Sequence, residues 1–140
     1  MTVLTALKTY LATYNGLESG APLSVDFLGA RPTGYAIIPL PGAKIIEKYL
    51  DGGSLREFPF AIQSMFSTVD EAERLENSGF YEALSDWFET QTLADTLPTL
   101  ASGKTATIIE ALGWGFLYEQ GQSDTGVYQI SCKLTYEQTP

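Results

Sequence analysis

Apolar residues recur at three- and four-residue steps between positions 68 and 92, and this spacing predicts a long amphipathic helix. Thr68 followed by Glu71 fits a capping box at the start of that helix. Because the apolar stripe carries bulky aromatic rings, we expect it to lie on a broad sheet. The stripe consists of Val69, Ala72, Leu75, Phe80, Ala83, Leu84, Trp87 and Phe88.

A shorter helix is predicted over residues 2–15, with Thr2 as its N-cap and Asn15-Gly16 as its stop signal. A helix this short is marginal alone, so we expect it to pack on the same sheet. Its apolar face comprises Val3, Leu7, Tyr10, Leu11 and Tyr14.

Four strands are predicted between the two helices, and the last of them alternates most clearly. Proline has no backbone donor, so Pro59 predicts that this last strand lies at a sheet edge or carries a bulge. The predicted strands cover residues 23–28, 35–40, 43–50 and 55–67, with a tight turn at 51–53. On the last strand, one face carries Phe58, Phe60, Ile62 and Phe66, and the other carries Glu57, Pro59, Gln63 and Ser67.

A hairpin of two long strands, 105–120 and 126–137, is predicted at the end of the chain, joined through residues 121–125. The apolar faces of the two strands are expected to be neighbours across the pair. Gly113 and Gly115 predict a bend, a bulge or the close approach of another backbone. The first apolar face comprises Ile108, Leu112, Trp114, Phe116 and Tyr118, and the second comprises Tyr128, Ile130, Cys132, Leu134 and Tyr136.

This order of elements predicts an α+β fold, with a mainly antiparallel sheet and two helices packed on one face. The 140 residues fit a single domain over positions 1–140. Hydrophobic residues make up 44% of the chain, yet no apolar run is long enough to span a bilayer. We therefore expect a soluble, unexported protein without a membrane partner.

Charge and residue usage narrow the possible chemistry. The net charge of −9 argues against a phosphate-binding surface for nucleic acid. One cysteine and no histidine exclude an intrachain disulfide, His-ligated zinc and imidazole catalysis. Residues 102–105 end like a phosphate-binding loop but lack the upstream glycine, and the acidic residues 70–76 suit a helix start without any metal ion. No cofactor is therefore predicted.

Two single residues require separate interpretation. Glu110 shares its face with Ile108 and Leu112, so it is either a catalytic acid or a structural or interface group. The second interpretation is favoured, because burying an unpaired charge is expensive. Cys132 has no histidine to activate it and is interpreted as a small buried hydrophobe.

The chain carries four further stretches in a particular order: PLPG at 39–42, YLDGGSLREFPFAIQS at 49–64, ENSGFY at 76–81 followed by Trp87, and YQISCKLTY at 128–136. In these stretches it resembles a family of small tail-completion proteins of long-tailed bacteriophages and prophages, often called minor capsid or tail terminator proteins. The resemblance covers residues 35–137 and implies a tail terminator-like fold.

The resemblance also implies a structural rather than an enzymatic role. Such proteins form a ring, commonly of six subunits, at the head-proximal end of the tail tube, where they end tube polymerisation and meet the head–tail connector. We therefore expect a homo-hexameric virion protein, assembled in the cytoplasm of the host bacterium, with the tail tube protein and the connector protein as partners. DNA would pass through the ring without specific binding, since an acidic lumen repels it.

Two alternatives remain at this point. One is a neck, head-completion or tail tube protein of the same virion, and the other is a small ligand-binding domain or enzyme that uses Glu110 near Trp114 and Tyr118. Each hairpin tip is predicted either to contact a neighbouring subunit or to be an ordinary solvated turn. The candidate contact residues are Asp51, Gly52 and Gly53 at the first tip, Arg56, Glu57 and Pro59 on the following strand, Glu110, and Gln122 and Asp124 at the second tip.

Overall fold

In the part of the chain that the structure describes, a mostly antiparallel sheet of seven strands carries two helices on one face, which confirms the predicted α+β class. The computed structural model describes residues 2–17, 23–25, 34–42, 44–67, 71–120 and 125–140. The elements are α1 (Val3–Leu11), β1 (Leu23–Val25), β2 (Tyr35–Pro39), β3 (Ile45–Lys48), β4 (Ser54–Ser67), α2 (Glu71–Leu93), β5 (Lys104–Ala111), β6 (Phe116–Gln120) and β7 (Thr125–Gln138).

Strands β4 and β7 form the centre of the sheet. They pair antiparallel over all 14 residues of each strand, from Ser54 opposite Gln138 to Ser67 opposite Thr125, without a register shift. Strands β2 and β3 lie end to end along the other side of β4, and β5 and β6 lie end to end along the other side of β7. Strand β1 runs parallel to β2. The two long strands therefore position the rest of the sheet.

The prediction that Pro59 marks an edge or a bulge is wrong, because β4 has strands on both sides and an unbroken register with β7. The Pro59 carbonyl oxygen accepts a hydrogen bond from Leu40 N–H at 3.0 Å, and two residues earlier Glu57 N–H donates to the Lys44 carbonyl oxygen at 3.0 Å. Between these bonds the chain passes from β2 to β3, and Gly42 lies against the Pro59 ring. The Pro59 nitrogen thus faces the place where β2 gives way to β3, so its missing N–H leaves the pairing of β4 with β7 intact.

Helix α1 begins as predicted, with the Thr2 side chain accepting a hydrogen bond from Thr5 N–H at 3.1 Å. It ends at Leu11, earlier than the predicted end at residue 15. The turn tightens there, because Thr13 N–H and Tyr14 N–H each donate to the carbonyl oxygen three residues back at 3.0 Å. The Thr13 hydroxyl also donates to the Tyr10 carbonyl oxygen at 2.6 Å. The predicted face is confirmed at its buried members, Leu7, Tyr10, Leu11 and Tyr14.

The buried face of α2 is rotated relative to the predicted stripe. Leu84 and Phe88 are buried as predicted, whereas Leu75 is 66% exposed and Ala83 is also exposed. Tyr81 and Asn77 take the buried positions instead, together with partly buried Phe80 and Trp87. A tyrosine can occupy the centre because its hydroxyl donates to the Tyr128 carbonyl oxygen at 3.1 Å and also hydrogen-bonds the Ser64 hydroxyl. The predicted helix start at 68–70 and its capping box lie outside the described residues.

The two helices share one hydrophobic core with the sheet. Their contact is aromatic: the ring centroids of Tyr10 and Tyr14 lie 5.2 Å and 4.8 Å from that of Trp87. Tyr10 also donates a hydrogen bond to the Thr96 carbonyl oxygen at 2.8 Å, beyond the end of α2. Within the described residues, neither helix has the length and apolar content to cross a membrane.

The last hairpin is predicted correctly on one strand and wrongly on the other. The predicted apolar face of β7 is buried throughout. The predicted strand 105–120 instead forms two strands, β5 and β6, separated by residues 112–115, so the bend expected at Gly113 and Gly115 is confirmed. A bulge between Ala106 and Ile108 reverses the alternation, and Ala106 and Ile109 face the core. The predicted core face of this strand is exposed, with Ile108, Leu112, Trp114, Phe116 and Tyr118 all on the surface.

We expect Leu84→Ala to lower the free energy of unfolding by about 2–5 kcal/mol, because it leaves a cavity between α2 and the sheet. The matched control is Leu75→Ala on the same helix, which is expected to change it by less than about 0.5 kcal/mol. Urea denaturation of both variants measures the difference. Equal losses would show that the two leucines are equally buried and contradict this packing.

Alkaline pH is expected to destabilise the fold through Cys132 and Tyr81. Burial raises the pKa of both groups, so the folded state keeps their protons after the unfolded state has released them. The contribution of each group to the free energy of unfolding is therefore fully present below its unfolded-state pKa. Above that pKa, each group lowers the free energy of unfolding by about 1.4 kcal/mol for every pH unit. With a thiol pKa of 9.0 when unfolded, Cys132→Ala should remove the first part of this loss between pH 7 and pH 10. An unchanged pH slope of the unfolding free energy in the variant would refute the assignment.

Candidate assembly surface

Exposed apolar side chains concentrate on one edge of the sheet. Among the described residues, six of the eleven exposed large hydrophobic side chains lie between positions 108 and 118. The most exposed of these is Trp114, at 76%. The six are Ile108, Leu112, Trp114, Phe116, Leu117 and Tyr118.

The backbone break between β5 and β6 explains part of this exposure. Leu112 N–H still donates to the Ser131 carbonyl oxygen at 2.8 Å, but the chain then leaves the sheet and rejoins it where Phe116 pairs with Gln129. Gly115 crosses directly over the Tyr81 ring, and a Cβ atom at this position would overlap it. The glycine therefore permits the crossing that turns Trp114 outward.

Strand β6 is exposed on both of its faces. Phe116 and Tyr118 lie side by side with ring centroids 6.5 Å apart, and Leu117 on the opposite parity is 43% exposed. Within the described part of the chain, β6 pairs with β7 alone. An aromatic edge strand of this kind is usually covered by another segment, because its open side is a template for strand pairing.

A groove runs beside β5 and the 112–114 segment, bounded by α2. It consists of two adjoining cavities of about 270 and 470 Å3 that share Glu89 and Ala111. Its walls carry three carboxylates of α2 and, among the described residues that line it, no lysine or arginine. We call it the acidic groove, and its carboxylates belong to Glu82, Asp86 and Glu89.

Thr92 closes the edge of β5 at the floor of the acidic groove. Its hydroxyl accepts a hydrogen bond from Ile109 N–H at 3.2 Å and donates to the Ile109 carbonyl oxygen at 2.9 Å. Both outward backbone groups of Ile109 are thereby occupied, so a further strand cannot pair there. Another segment can lie over the groove without pairing with β5. On this side of the sheet, the strand open to pairing is β6.

A second exposed strand lies on the opposite side of the sheet. All four residues of β3 are exposed, with Ile45 at 38% and Ile46 at 47%. The strand pairs with β4 across a bulge, follows the exposed Lys44 and ends with the exposed Lys48. We call residues 44–48 the β3 edge. The sequence shows it only as a short apolar pair between lysines, which does not distinguish it from a buried strand.

Two of the predicted contact residues, Glu57 and Glu110, meet on the sheet face opposite the helices. Lys133 joins them, with its Nζ atom 2.8 Å from Glu57 and 3.9 Å from Glu110. The hydrogen bond to Glu57 raises the pKa of Lys133. Lys133 was missed by sequence reasoning, since only the register of β4, β7 and β5 brings the three together. Glu110 therefore has a cationic partner on an open face instead of a place in an apolar core.

The first hairpin tip uses its predicted residues to build the turn. Gly52 has φ +93°, and Gly53 N–H donates to Asp51 Oδ1 at 2.8 Å. Asp51 and Gly52 are exposed, whereas Gly53 is buried. Nearby, Arg56 Nε donates to Ser54 Oγ at 2.9 Å. This tip lies at the end of β4 remote from β6. Gln122 and Asp124 at the second tip lie outside the described residues.

The described residues contain no group of three or more Cys, Asp or Glu side chains arranged to hold a metal ion. Comparison with known proteins adds no family: no protein-family model matches the chain, and no curated protein matches it. The candidate surface is therefore defined by its own geometry: the acidic groove and β6 on one edge, and the β3 edge on the other.

Gly115→Ala is expected to lower the free energy of unfolding by about 1–3 kcal/mol, because the new methyl group overlaps the buried Tyr81 ring. Gly113→Ala is the matched control, since a Cβ atom there meets nothing within 4 Å. We expect its effect to stay within about 0.5 kcal/mol. Thermal unfolding of both variants measures this difference. If Gly115→Ala leaves the free energy of unfolding unchanged, the backbone at Gly115 does not pass against the Tyr81 ring.

Proposed function

We propose that this protein is a tail terminator of a long-tailed bacteriophage or prophage, and that it forms a ring, six subunits in the closed form, at the head-proximal end of the tail tube. In that position it ends tube polymerisation and provides the joining surface for the head–tail connector. The observation that carries the proposal is a small α+β subunit whose exposed apolar residues are concentrated on the two edges of its sheet. Such a subunit can contact a neighbouring subunit at each edge of its sheet.

The stretches that resemble the tail-completion family support the proposal by their position. Residues 49–64 form the β3–β4 turn and most of β4, 76–81 lie in α2, and 128–136 lie in β7. These are the elements that form the core of the subunit and set its shape. A family that shares a subunit scaffold would retain its resemblance in such elements.

The charge of the chain suits the passage of DNA. With a net charge of −9, each subunit adds negative potential to the ring. Such a surface repels the phosphate backbone and would let DNA slide through without specific binding. The proposed partners are thus other copies of the chain, the tail tube protein and the connector protein.

Tails assembled without this protein are expected to show a broad distribution of tube lengths and to fail to join heads, because nothing ends polymerisation. Adding the purified protein back should restore a single length and joining. Electron microscopy of the two preparations measures tube length and the fraction of joined particles, and crosslinking separates contacts with the tube from contacts with the connector. Normal-length, joinable tails in its absence would exclude this function.

A further inference from the structure

The two edges of the sheet differ in charge. The acidic groove presents Glu82, Asp86 and Glu89 from one flank of α2, all exposed and without an ion pair to any described residue. Glu110 does not add to this charge, because it lies with Lys133, 3.9 Å away, on the sheet face opposite the helices. Beside these charges lie the exposed Leu112 and Trp114. The groove therefore suits an extended segment that combines apolar and cationic side chains.

The β3 edge has the chemistry that the groove requires. Its sequence, Lys-Ile-Ile-Glu-Lys, places a lysine at each end of two exposed isoleucines and carries a single carboxylate, Glu47. The segment is already extended and held by β4, so docking it costs little conformational entropy. The same chain thus supplies both a groove and a segment that fits it.

We propose that the chain associates head to tail, with the β3 edge of one copy seated against the acidic groove and β6 of the next. Lys44 and Lys48 then face the helix carboxylates, while Ile45 and Ile46 cover the apolar surface around Trp114. Closure of such contacts into a ring rests on the function proposed above, whereas the contact itself follows from the two edges.

Charge also decides against a two-fold contact between like edges. Two acidic grooves facing each other would oppose at least six unpaired helix carboxylates across one interface, counting three from each copy. Like-charge juxtaposition of this kind costs free energy and suppresses that partner. A groove that meets a different surface of the next copy makes a heterologous contact, which closes into a ring or continues as a filament.

Charge reversal on each edge tests the contact. The groove variant is Asp86→Lys with Glu89→Lys, and the β3 variant is Lys44→Glu with Lys48→Glu. Each alone should weaken self-association roughly tenfold or more relative to wild type, because like charges then meet in every contact. The matched control combines Glu76→Lys with Lys8→Glu, two exposed positions outside both edges, and should associate as wild type does. Sedimentation velocity and native mass spectrometry at concentrations up to about 1 mM measure association, and circular dichroism confirms that each variant folds.

Mixing the two variants gives the sharper result. In a 1:1 mixture, a lysine-bearing groove can meet a glutamate-bearing β3 edge, and the wild-type groove and β3 edge can meet in the other contact. Association should therefore return as alternating assemblies with equal amounts of the two variants. A β3 variant that associates like wild type, a mixture that stays monomeric, or a wild-type protein that stays monomeric throughout the range would each overturn the proposal; the last would assign the groove to a different cationic partner.

Tail assembly separates this proposal from the function on which ring closure rests. If the mixture restores association but does not control tail length, the contact stands and the tail terminator function fails. If the β3 variant alone still gives tails of normal length, the function stands and the head-to-tail contact fails.

Discussion

The unbroken pairing of β4 with β7 is the constraint on which the rest of the structure depends. Because 14 residues of each strand pair without a shift, alternate side chains of both strands fall on the same face along the whole length. Phe60 lies opposite Cys132 and Ile62 lies opposite Ile130, and all four are buried in the core. A slip of one residue in either strand would move that strand's core side chains to the open face, so the register is strongly specified. Because β4 and β7 pair along their whole length, the strand beside each of them can change halfway along. The change is from β3 to β2 beside β4, and from β5 to β6 beside β7.

Tyr81 links this core to the exposed edge. Its hydroxyl bonds Ser64 of β4 and the Tyr128 carbonyl of β7, so α2 is fixed to both central strands by one buried polar group. Its ring also supports the crossing at Gly115, where β5 gives way to β6. The position of Trp114 and of β6 therefore depends on the same residue that anchors the helix.

Regular local patterns were predictable from the sequence, whereas features that depend on register were not. The Thr2 cap, the alternation of β7 and the buried Cys132 each follow from a few neighbouring residues. The bulge after Ala106 involves one residue, yet it reverses the faces of β5 and exposes Ile108. An apolar alternation looks the same whether it faces the core or an external surface. The exposure of the face that carries Ile108, Leu112 and Trp114 could therefore not be predicted from it. Likewise, Lys133 is joined to Glu57 and Glu110 only by strand pairing.

Polar groups on the open sheet face are paired within the chain, whereas the sheet edges carry apolar side chains exposed to water. This difference favours lateral association over stacking of two sheet faces. On the open face, Gln63 donates to Gln129 across the central strands at 2.8 Å, and Lys133 is paired with Glu57. Stacking two such faces would remove water from groups that are already satisfied and gain little in return. At the edges, Thr92 blocks strand addition at Ile109, while β6 and β3 keep apolar side chains in water. Covering those side chains is favourable in proportion to the apolar area removed from water. The largest available gain therefore lies at the two edges, which are the surfaces of the proposed head-to-tail contact.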